Sequence, residues 1–268
     1  MSVLEAKNLK KSFDQRMVVK GVDIEVQSGR ITSLLGRNGA GKTTTFRMIT
    51  GLTRPDAGAV LLNGDDISGL STPQRADRGI IYLPQENSVF LKASVEENLK
   101  LILEIKKPDM ADKIDFIHKL LEEMGLAELK GQKAYSLSGG ERRRLEISRS
   151  LILDPHFLLL DEPFTGIDPL TIAELQKILL RLKKRGIGIL VSDHNVRDTL
   201  DITGRGYIID EGSILVEGTP EEIASDHKAR KKFLGMDFSL GKKKSVHSSF
   251  GNIKSPKVSL RKTKNKLK

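Results

Sequence analysis

The segment spanning residues 36–43 constrains this chain more than any other. It reads GRNGAGKT, fits the pattern G-x-x-x-x-G-K-[ST], follows an apolar run over residues 31–35 and precedes a helix-like run over residues 44–50. Its three glycines permit a backbone curl that points successive N–H groups at one anion, and the N-terminus of the next helix adds partial positive charge. The pattern predicts a strand, a phosphate-binding loop and a helix. The alternative is a glycine-rich turn that fits the pattern by chance.

The chemistry of this P-loop gives its residues distinct expected roles. We expect Lys42 to reach the β- and γ-phosphates of a nucleotide, and the Thr43 hydroxyl to bind Mg²⁺. The expected phosphate-binding residues form one continuous segment: Gly36, Arg37, Asn38, Gly39, Ala40, Gly41, Lys42, Thr43 and Thr44. The sequence contains no N-K-x-D segment of the kind with which GTPases usually read guanine.

A second helix start with anion-binding character lies at residues 137–141, LSGGE. Ser138 and Glu141 have the S-x-x-E spacing of a capping box, in which each side chain accepts a hydrogen bond from the other's backbone N–H. Gly139 and Gly140 leave the first N–H groups of this helix uncovered by side chains. A capping box gives no reason for two adjacent glycines, each of which weakens a helix by about 1 kcal/mol relative to alanine. We therefore expect another group to approach this backbone closely.

Two adjacent carboxylates, Asp161 and Glu162, end a short apolar run over residues 157–160 and precede Pro163. A carboxylate at the end of a core strand beside a P-loop holds Mg²⁺ directly or through water, and its neighbour orients and polarises an attacking water. We assign the metal to Asp161 and the general-base role to Glu162. The alternative is that both acids cap the next turn.

The P-loop, the LSGGE segment and the LDEP segment at residues 160–163, in this order, resemble the motifs of ATP-binding cassette (ABC) ATPases. The resemblance extends over roughly residues 3–240. It implies an α/β fold of the P-loop NTPase class, of ABC ATPase type, with a RecA-like core, an antiparallel β subdomain and a helical subdomain. ATP and Mg²⁺ are the cofactors that it implies.

Three further residues match family positions by their order and spacing: Gln85 resembles the Q-loop glutamine, Asp168 lies in a segment like the D-loop, and His194 resembles the switch histidine. The family role of Gln85 is catalytic and metal-binding, so the expected Mg²⁺ ligands are Thr43, Gln85 and Asp161. The histidine stabilises the transferred phosphoryl group. A lone histidine after a strand or glutamine on a loop has structural explanations as well.

The resemblance also implies a composite site in a homodimer. In the family, two subunits hold two ATP molecules between them. Ser138, Gly139 and Gly140 of one subunit then approach the γ-phosphate that lies on the P-loop of the other, and Asp168 helps to shape that interface. Phe13 falls where a family aromatic residue stacks on adenine, although a buried aromatic at a strand end explains it equally well.

Three segments outside the general motifs, residues 82–86, 193–200 and 233–240, resemble the ATP-binding subunits of lipopolysaccharide-export transporters. This resemblance implies a homodimer beneath two integral-membrane subunits, on the cytoplasmic face of the inner membrane. Those subunits would dock near residues 85–91, with Phe90 as a candidate contact; an ordinary core position for Phe90 is the alternative. ATPases of branched-chain amino-acid importers share every hydrolytic motif, and the Suf iron–sulfur assembly ATPase also has a single cassette, so both remain open.

The order of the patterns suggests an ABC ATPase domain over residues 1–240 with a helical subdomain at about 94–150. Residues 22–27 alternate as a half-buried antiparallel strand does, and residues 207–216 are typical of a hairpin. Between them, residues 94–129 favour helix. Ile114, Ile117, Leu121 and Met124 recur there near helical spacing.

The formal net charge of +10 arises entirely from residues 241–268, which contain ten Lys or Arg and no Asp or Glu, whereas residues 1–240 contain 35 residues of each sign. We expect this tail to be disordered and solvated, and contact with anionic lipid is its alternative role. Nucleic acid is a less favoured partner, because such ABC ATPases commonly carry two cassettes or a long coiled coil. The lack of cysteine excludes disulfides and thiolate metal sites, and no apolar stretch reaches 18 residues, so we expect a soluble, cytoplasmic protein.

Overall fold

The computed structural model describes residues 1–107 and 109–240, so the basic tail predicted at residues 241–268 lies outside the described residues. The strands are β1 (Val3–Phe13), β2 (Arg16–Gln27), β3 (Ile31–Leu35), β4 (Ala57–Leu62), β5 (Asp65–Asp66), β6 (Ile80–Leu83), β7 (Phe157–Asp161), β8 (Gly188–Asp193), β9 (Arg205–Asp210) and β10 (Ser213–Gly218). The helices are α1 (Lys42–Ile49), α2 (Thr72–Asp77), α3 (Val95–Lys106), α4 (Lys113–Glu123), α5 (Gly139–Leu151), α6 (Pro169–Lys184), α7 (Val196–Ile202) and α8 (Pro220–Ser225). Short helical turns occupy Ala127–Leu129, Ala134–Ser136, His227–Ala229 and Arg230–Leu234.

The strands of the described part form two sheets. The first has the order β2-β1-β4-β5 and is antiparallel throughout. The second has the order β10-β9-β3-β8-β7-β6 and is parallel except for the β9–β10 hairpin. The predicted antiparallel strand over residues 22–27 and the hairpin over residues 207–216 are therefore confirmed.

The central strands of the parallel sheet position the site. Every residue of β3, β7 and β8 is buried, as expected for strands that are covered on both faces. Leu35 pairs with Asp193 and Asp161 pairs with Ser192, so these strands end at one common edge. The P-loop, the predicted acidic pair and the predicted switch histidine all follow strands at this edge.

The region between β6 and β7 carries α3, α4 and α5, as the sequence predicts for a helical segment. Ile117, Leu121 and Met124 are buried in one apolar cluster with Leu160 of β7, so the helices share a core with the parallel sheet. Ile114 lies in the first turn of α4 and is 57% exposed, so only the later turns of α4 bury their apolar side chains.

Candidate active site

The loop between β3 and α1 is shaped by its glycines. A Cβ atom on Gly36 would lie 2.4 Å from the Ile209 carbonyl oxygen, and Gly41 has a φ of +109°, which is left-handed backbone that favours glycine. The Lys42 side chain folds back over this loop, and its Nζ donates to the carbonyl oxygens of Gly36 at 2.8 Å and Arg37 at 3.2 Å. Burial lowers the pKa of Lys42, against the opposing effect of nearby carboxylates.

A cavity of about 290 Å³ opens above this loop. Its lining combines P-loop residues with one residue from each of three other segments: Val18, Asn38, Gly39, Gly41, Lys42, Thr43, Thr44, Gln85 and Glu162. A larger neighbouring cavity of about 580 Å³ adjoins the same loop through Arg37, Asn38, Gly39 and Ala40. The structure thus brings Gln85 and Glu162 to the P-loop, as the sequence predicts.

The two adjacent carboxylates differ sharply in environment. Asp161 is only 1% exposed, and both of its oxygens accept hydrogen bonds, Oδ2 from the Tyr82 hydroxyl at 3.1 Å and Oδ1 from the Ser192 hydroxyl. Neither bond caps the following turn. Glu162 has a φ of +48° at the end of β7, and its side chain reaches the cavity. Asp161 itself does not line that cavity.

His194 completes this group of side chains. Its Nδ1 lies 3.5 Å from Oε2 of Glu162 and 3.8 Å from Oδ1 of Asp193. Asp193 is fully buried, and desolvation raises the pKa of its carboxyl group even though two backbone N–H groups donate to it. One edge of the sheet therefore presents a lysine, a hydroxyl and a carboxylate around a single cavity, with an imidazole beside the carboxylate. This arrangement is suited to phosphoryl transfer to water.

The comparisons with known proteins agree with this geometry. The family description "ABC transporter" matches residues 19–165. This chain belongs to the ABC transporter family. It is an ABC ATPase, an enzyme that binds and hydrolyses ATP.

Two curated relatives of this ABC ATPase are both named lipopolysaccharide export system ATP-binding protein LptB. The protein from Haemophilus influenzae is 47% identical over 244 residues, and that from Escherichia coli K12 is 46% identical over 241 residues. Each match covers 90% of this chain and 100% of the relative.

Among solved structures, the ADP conformation of an ATP-binding cassette of an ABC transporter is 29% identical, with a TM-score of 0.78. The match covers 88% of this chain and 99% of that one. A nucleotide-free ATP-binding cassette is 30% identical, with a TM-score of 0.79 and coverage of 88% and 100%. These likenesses confirm the predicted fold class.

The N-terminus of α5 forms the predicted capping box in this ABC ATPase. The Ser138 hydroxyl accepts from the Glu141 N–H at 3.3 Å, and Oε2 of Glu141 accepts from the Ser138 N–H at 2.8 Å. The Ser138 N–H and hydroxyl, which both donate to Oε2 of Glu141, lower the pKa of this carboxyl group. The group that approaches Gly140 is Thr171 of α6, whose Cγ2 lies 2.0 Å from where a Cβ on Gly140 would stand. The nearest atom to a Cβ on Gly139 would be 3.5 Å away, which is an ordinary van der Waals contact. None of these residues lines the P-loop cavity.

Two other predicted nucleotide contacts also lie outside the P-loop cavity. Asp168 is the N-cap of α6: its Oδ1 accepts from the N–H groups of Leu170 and Thr171, and its Oδ2 from the Thr171 hydroxyl at 2.6 Å. These bonds lower the pKa of Asp168. Phe13 is 48% exposed beside the Lys11 ammonium, so the alternative of a buried aromatic is wrong. Its stacking on adenine stays a prediction.

Sequence reasoning missed the residues that support this site rather than line it. Tyr82 and Ser192 hold Asp161, and Asp193 joins the turns that follow β7 and β8. These contacts form between strands that are distant in the chain, so no local spacing reveals them. The only available signal was the polar character of Ser192 and Asp193 at the end of an otherwise apolar strand.

Proposed function

We propose that this ABC ATPase hydrolyses ATP in the P-loop cavity. The observation that carries the proposal is that one cavity joins Lys42, Thr43, Gln85 and Glu162. In this assignment Lys42 neutralises the β- and γ-phosphates and Glu162 accepts the proton of the attacking water. His194, beside Glu162, stabilises the transferred phosphoryl group.

The donor set at the cavity fits Mg²⁺. The Thr43 hydroxyl and the Gln85 amide are oxygen donors on its lining, and Mg²⁺ usually takes few protein ligands, keeps several waters and binds substrate phosphates. Because Asp161 is buried behind the cavity with both oxygens already bonded, it would act on the metal through water. The bound ion would neutralise charge on the phosphates.

The site of one subunit is incomplete in this assignment, which supports a homodimer. Ser138 and Gly139 are exposed at the N-terminus of α5 and do not line the P-loop cavity of their own chain. The first N–H groups of a helix attract anions. A second copy would present this terminus, with Gly140 and Asp168 behind it, to the γ-phosphate.

The surface beside Gln85 is suited to membrane subunits. Phe90 and Leu91 are each 45% exposed, so a core position for Phe90 is wrong. The Arg149 guanidinium lies 4.5 Å from the centroid of the Phe90 ring. A mainly apolar groove of about 270 Å³, lined by Ile102 and Ile105 among others, runs alongside. No helix of the described residues is long and apolar enough to cross a membrane, so the transport path would belong to other chains.

We further propose that the transported molecule is lipopolysaccharide, extracted from the inner membrane for export. The full-length similarity to two proteins named for that system supports this assignment. The subunit would then act on the cytoplasmic face of the inner membrane, where contact of the basic residues 241–268 with anionic lipid stays the alternative to a solvated tail.

The test is to purify the tagged chain from its own membranes in mild detergent and to identify co-purifying proteins and lipids by mass spectrometry. Two integral-membrane subunits with bound lipopolysaccharide are the expected result. Amino-acid importer permeases or iron–sulfur assembly proteins would keep the ATPase assignment and overturn the export assignment.

A further inference from the structure

Thr165 is a polar residue of the active site to which the assignments above give no role. Its hydroxyl oxygen lies 3.2 Å from Oε2 of Glu162 and 3.4 Å from Nδ1 of His194. The carboxylate oxygen and the imidazole nitrogen are themselves 3.5 Å apart. The three polar atoms therefore form a nearly equilateral triangle, with the Thr165 hydroxyl facing both of the groups assigned to hydrolysis.

The backbone holds this triangle in place. The Thr165 N–H donates to the Glu162 carbonyl oxygen at 3.3 Å, which closes the turn after β7. Asp193, fully buried, accepts from the Phe164 N–H at 2.9 Å through Oδ2 and from the Asn195 N–H at 2.8 Å through Oδ1. One carboxylate thus anchors the residue before Thr165 and the residue after His194. The Thr165 and His194 side chains therefore lie close together because these backbone hydrogen bonds hold both turns in place.

A hydroxyl group carries one proton and two acceptor sites, so Thr165 can donate to only one of its two neighbours at a time. When it donates to Glu162, its oxygen accepts from a protonated Nδ1 of His194, and the neutral ring has a bare Nε2. When it donates to Nδ1, the neutral ring carries its proton on Nε2, and Oε2 of Glu162 is released from this bond. The orientation of one hydroxyl therefore links the tautomer of the imidazole to the hydrogen bonding of the carboxylate.

We propose that Thr165 is a positioning residue for hydrolysis, whose hydroxyl holds Glu162 between turnovers and turns to Nδ1 of His194 when ATP is in place. In the second orientation the Nε2–H of His194 donates to a phosphate oxygen, and Glu162 is free to accept from the attacking water. The tautomer change breaks the Nδ1–H bond and forms an Nε2–H bond: solvent water takes the proton from Nδ1 and gives one to Nε2 of the half-exposed ring, and no other covalent bond changes. The proposal rests on the proposed roles of Glu162 and His194.

The test compares two substitutions at this position. Thr165→Val keeps the shape and the β-branching but removes the hydroxyl, whereas Thr165→Ser keeps the hydroxyl. We expect Thr165→Val to lower kcat by about ten- to a hundredfold, the effect of one hydrogen bond to a charged group, with little change in the KM for ATP. Thr165→Ser should retain most of the wild-type kcat. Both should bind a fluorescent ATP analogue like the wild type.

A purely structural role of Thr165 would give a different pattern. Thr165→Val would then lower the midpoint of chemical denaturation while kcat stayed near the wild-type value, and that result would overturn the proposal. Equal losses of kcat in Thr165→Val and Thr165→Ser would also overturn it, because the hydroxyl would not be the deciding group.

A double variant separates this proposal from the assignments on which it rests. In a Glu162→Gln background, single-turnover hydrolysis is followed over hours, and Thr165→Val should slow it much less than it slows the wild type, because the two residues act together. Full additivity would contradict the link between Thr165 and Glu162. Normal turnover by Glu162→Gln alone would instead remove the proposed base, and the Thr165 proposal with it.

Discussion

At the scale of single residues, the two glycines at the start of α5, Gly139 and Gly140, differ in how closely other atoms approach them. Cγ2 of Thr171 occupies the space where a Cβ on Gly140 would stand, at 2.0 Å, whereas the nearest atom to a Cβ on Gly139 is 3.5 Å away. Gly140 is thus required by packing between α5 and α6. Gly139 has no such requirement, which leaves its exposed backbone available to a ligand or a partner.

We expect Gly140→Ala to destabilise the protein by about 1–3 kcal/mol, the usual cost of overpacking a core contact. Gly139→Ala should be neutral or slightly stabilising, because alanine favours helix and has room there. Thr171→Ser removes only the clashing methyl group, so the pair Gly140→Ala and Thr171→Ser should recover most of the loss. Urea titration measures the free energy of unfolding of the three single variants and of the double variant. Equal stability of the Gly140 and Gly139 variants would contradict the clash.

The sequence predicted the residues that line the P-loop cavity better than those that support them. Lys42, Thr43 and Glu162 were predicted because fixed local spacing specifies a loop or strand end, whereas Gln85 was predicted only from the family resemblance. The burial of Asp161 behind Tyr82 depends on the register of neighbouring strands, which local patterns do not contain.

At the scale of elements, the helix that carries the P-loop is fixed at its far end by one buried arginine. The last carbonyl groups of a helix have no partner within it. The Arg75 guanidinium, from α2, donates through NH1 to the carbonyl oxygens of Met48 at 2.8 Å and Ile49 at 2.6 Å, at the end of α1. It also donates to the carbonyl oxygens of Ser68 and Leu70. Arg75 is 1% exposed, so these bonds replace water entirely.

We expect Arg75→Ala to destabilise the protein by about 3–5 kcal/mol, since it leaves buried carbonyl groups unpaired and a cavity behind them. Arg75→Lys keeps the charge but cannot reach all four carbonyls, so it should be intermediate. Arg78→Ala, at an exposed position one turn further on, is the matched control and should change stability by less than about 0.5 kcal/mol. Thermal unfolding without nucleotide compares the stability of the two Arg75 variants with that of Arg78→Ala and the wild type. An Arg75→Ala variant as stable as the control would disprove the anchoring role.

The order of elements was predictable from the sequence, but the anchor between α1 and α2 was not. Strand and helix periodicity and the P-loop pattern predict the type of each segment along the chain, but not which segments fold next to each other. A single arginine in a polar segment carries no sign that it is buried, because its partners are backbone carbonyls that any sequence provides.

At the scale of the whole molecule, the groove beside the Phe90 ring is the expected contact with membrane subunits. Phe90→Ala removes an exposed ring without disturbing the Asn98 side chain, which pairs with the Phe90 backbone N–H and carbonyl. We expect this variant to bind ATP normally and to lose most co-purification with membrane subunits. Leu52→Ala removes a similarly exposed apolar side chain just after α1 and is the control. Unchanged recovery of the subunits with Phe90→Ala would exclude this contact.

The composite site predicts that ATP joins two copies of the chain. Glu162→Gln should bind ATP, lose at least about a hundredfold in kcat, as removal of a general base does, and accumulate as a closed dimer. Light scattering after size exclusion in Mg-ATP measures the mass. The wild type should return to its ATP-free mass as hydrolysis proceeds, because loss of the γ-phosphate removes the charge held by the N-terminus of the partner's α5.

A charge placed at that terminus distinguishes the dimer from folding effects. Gly139→Glu adds a carboxylate in the first turn of α5, where the helix dipole favours negative charge and the side chain has room, so the subunit should remain folded. In the dimer the same carboxylate would face a phosphate. In the Glu162→Gln background, Gly139→Glu should therefore abolish ATP-dependent dimerisation while each subunit still binds ATP, and the neutral Gly139→Gln should weaken it less. If Glu162→Gln forms the dimer equally well alone, with Gly139→Glu and with Gly139→Gln, the N-terminus of α5 does not face the nucleotide of the partner.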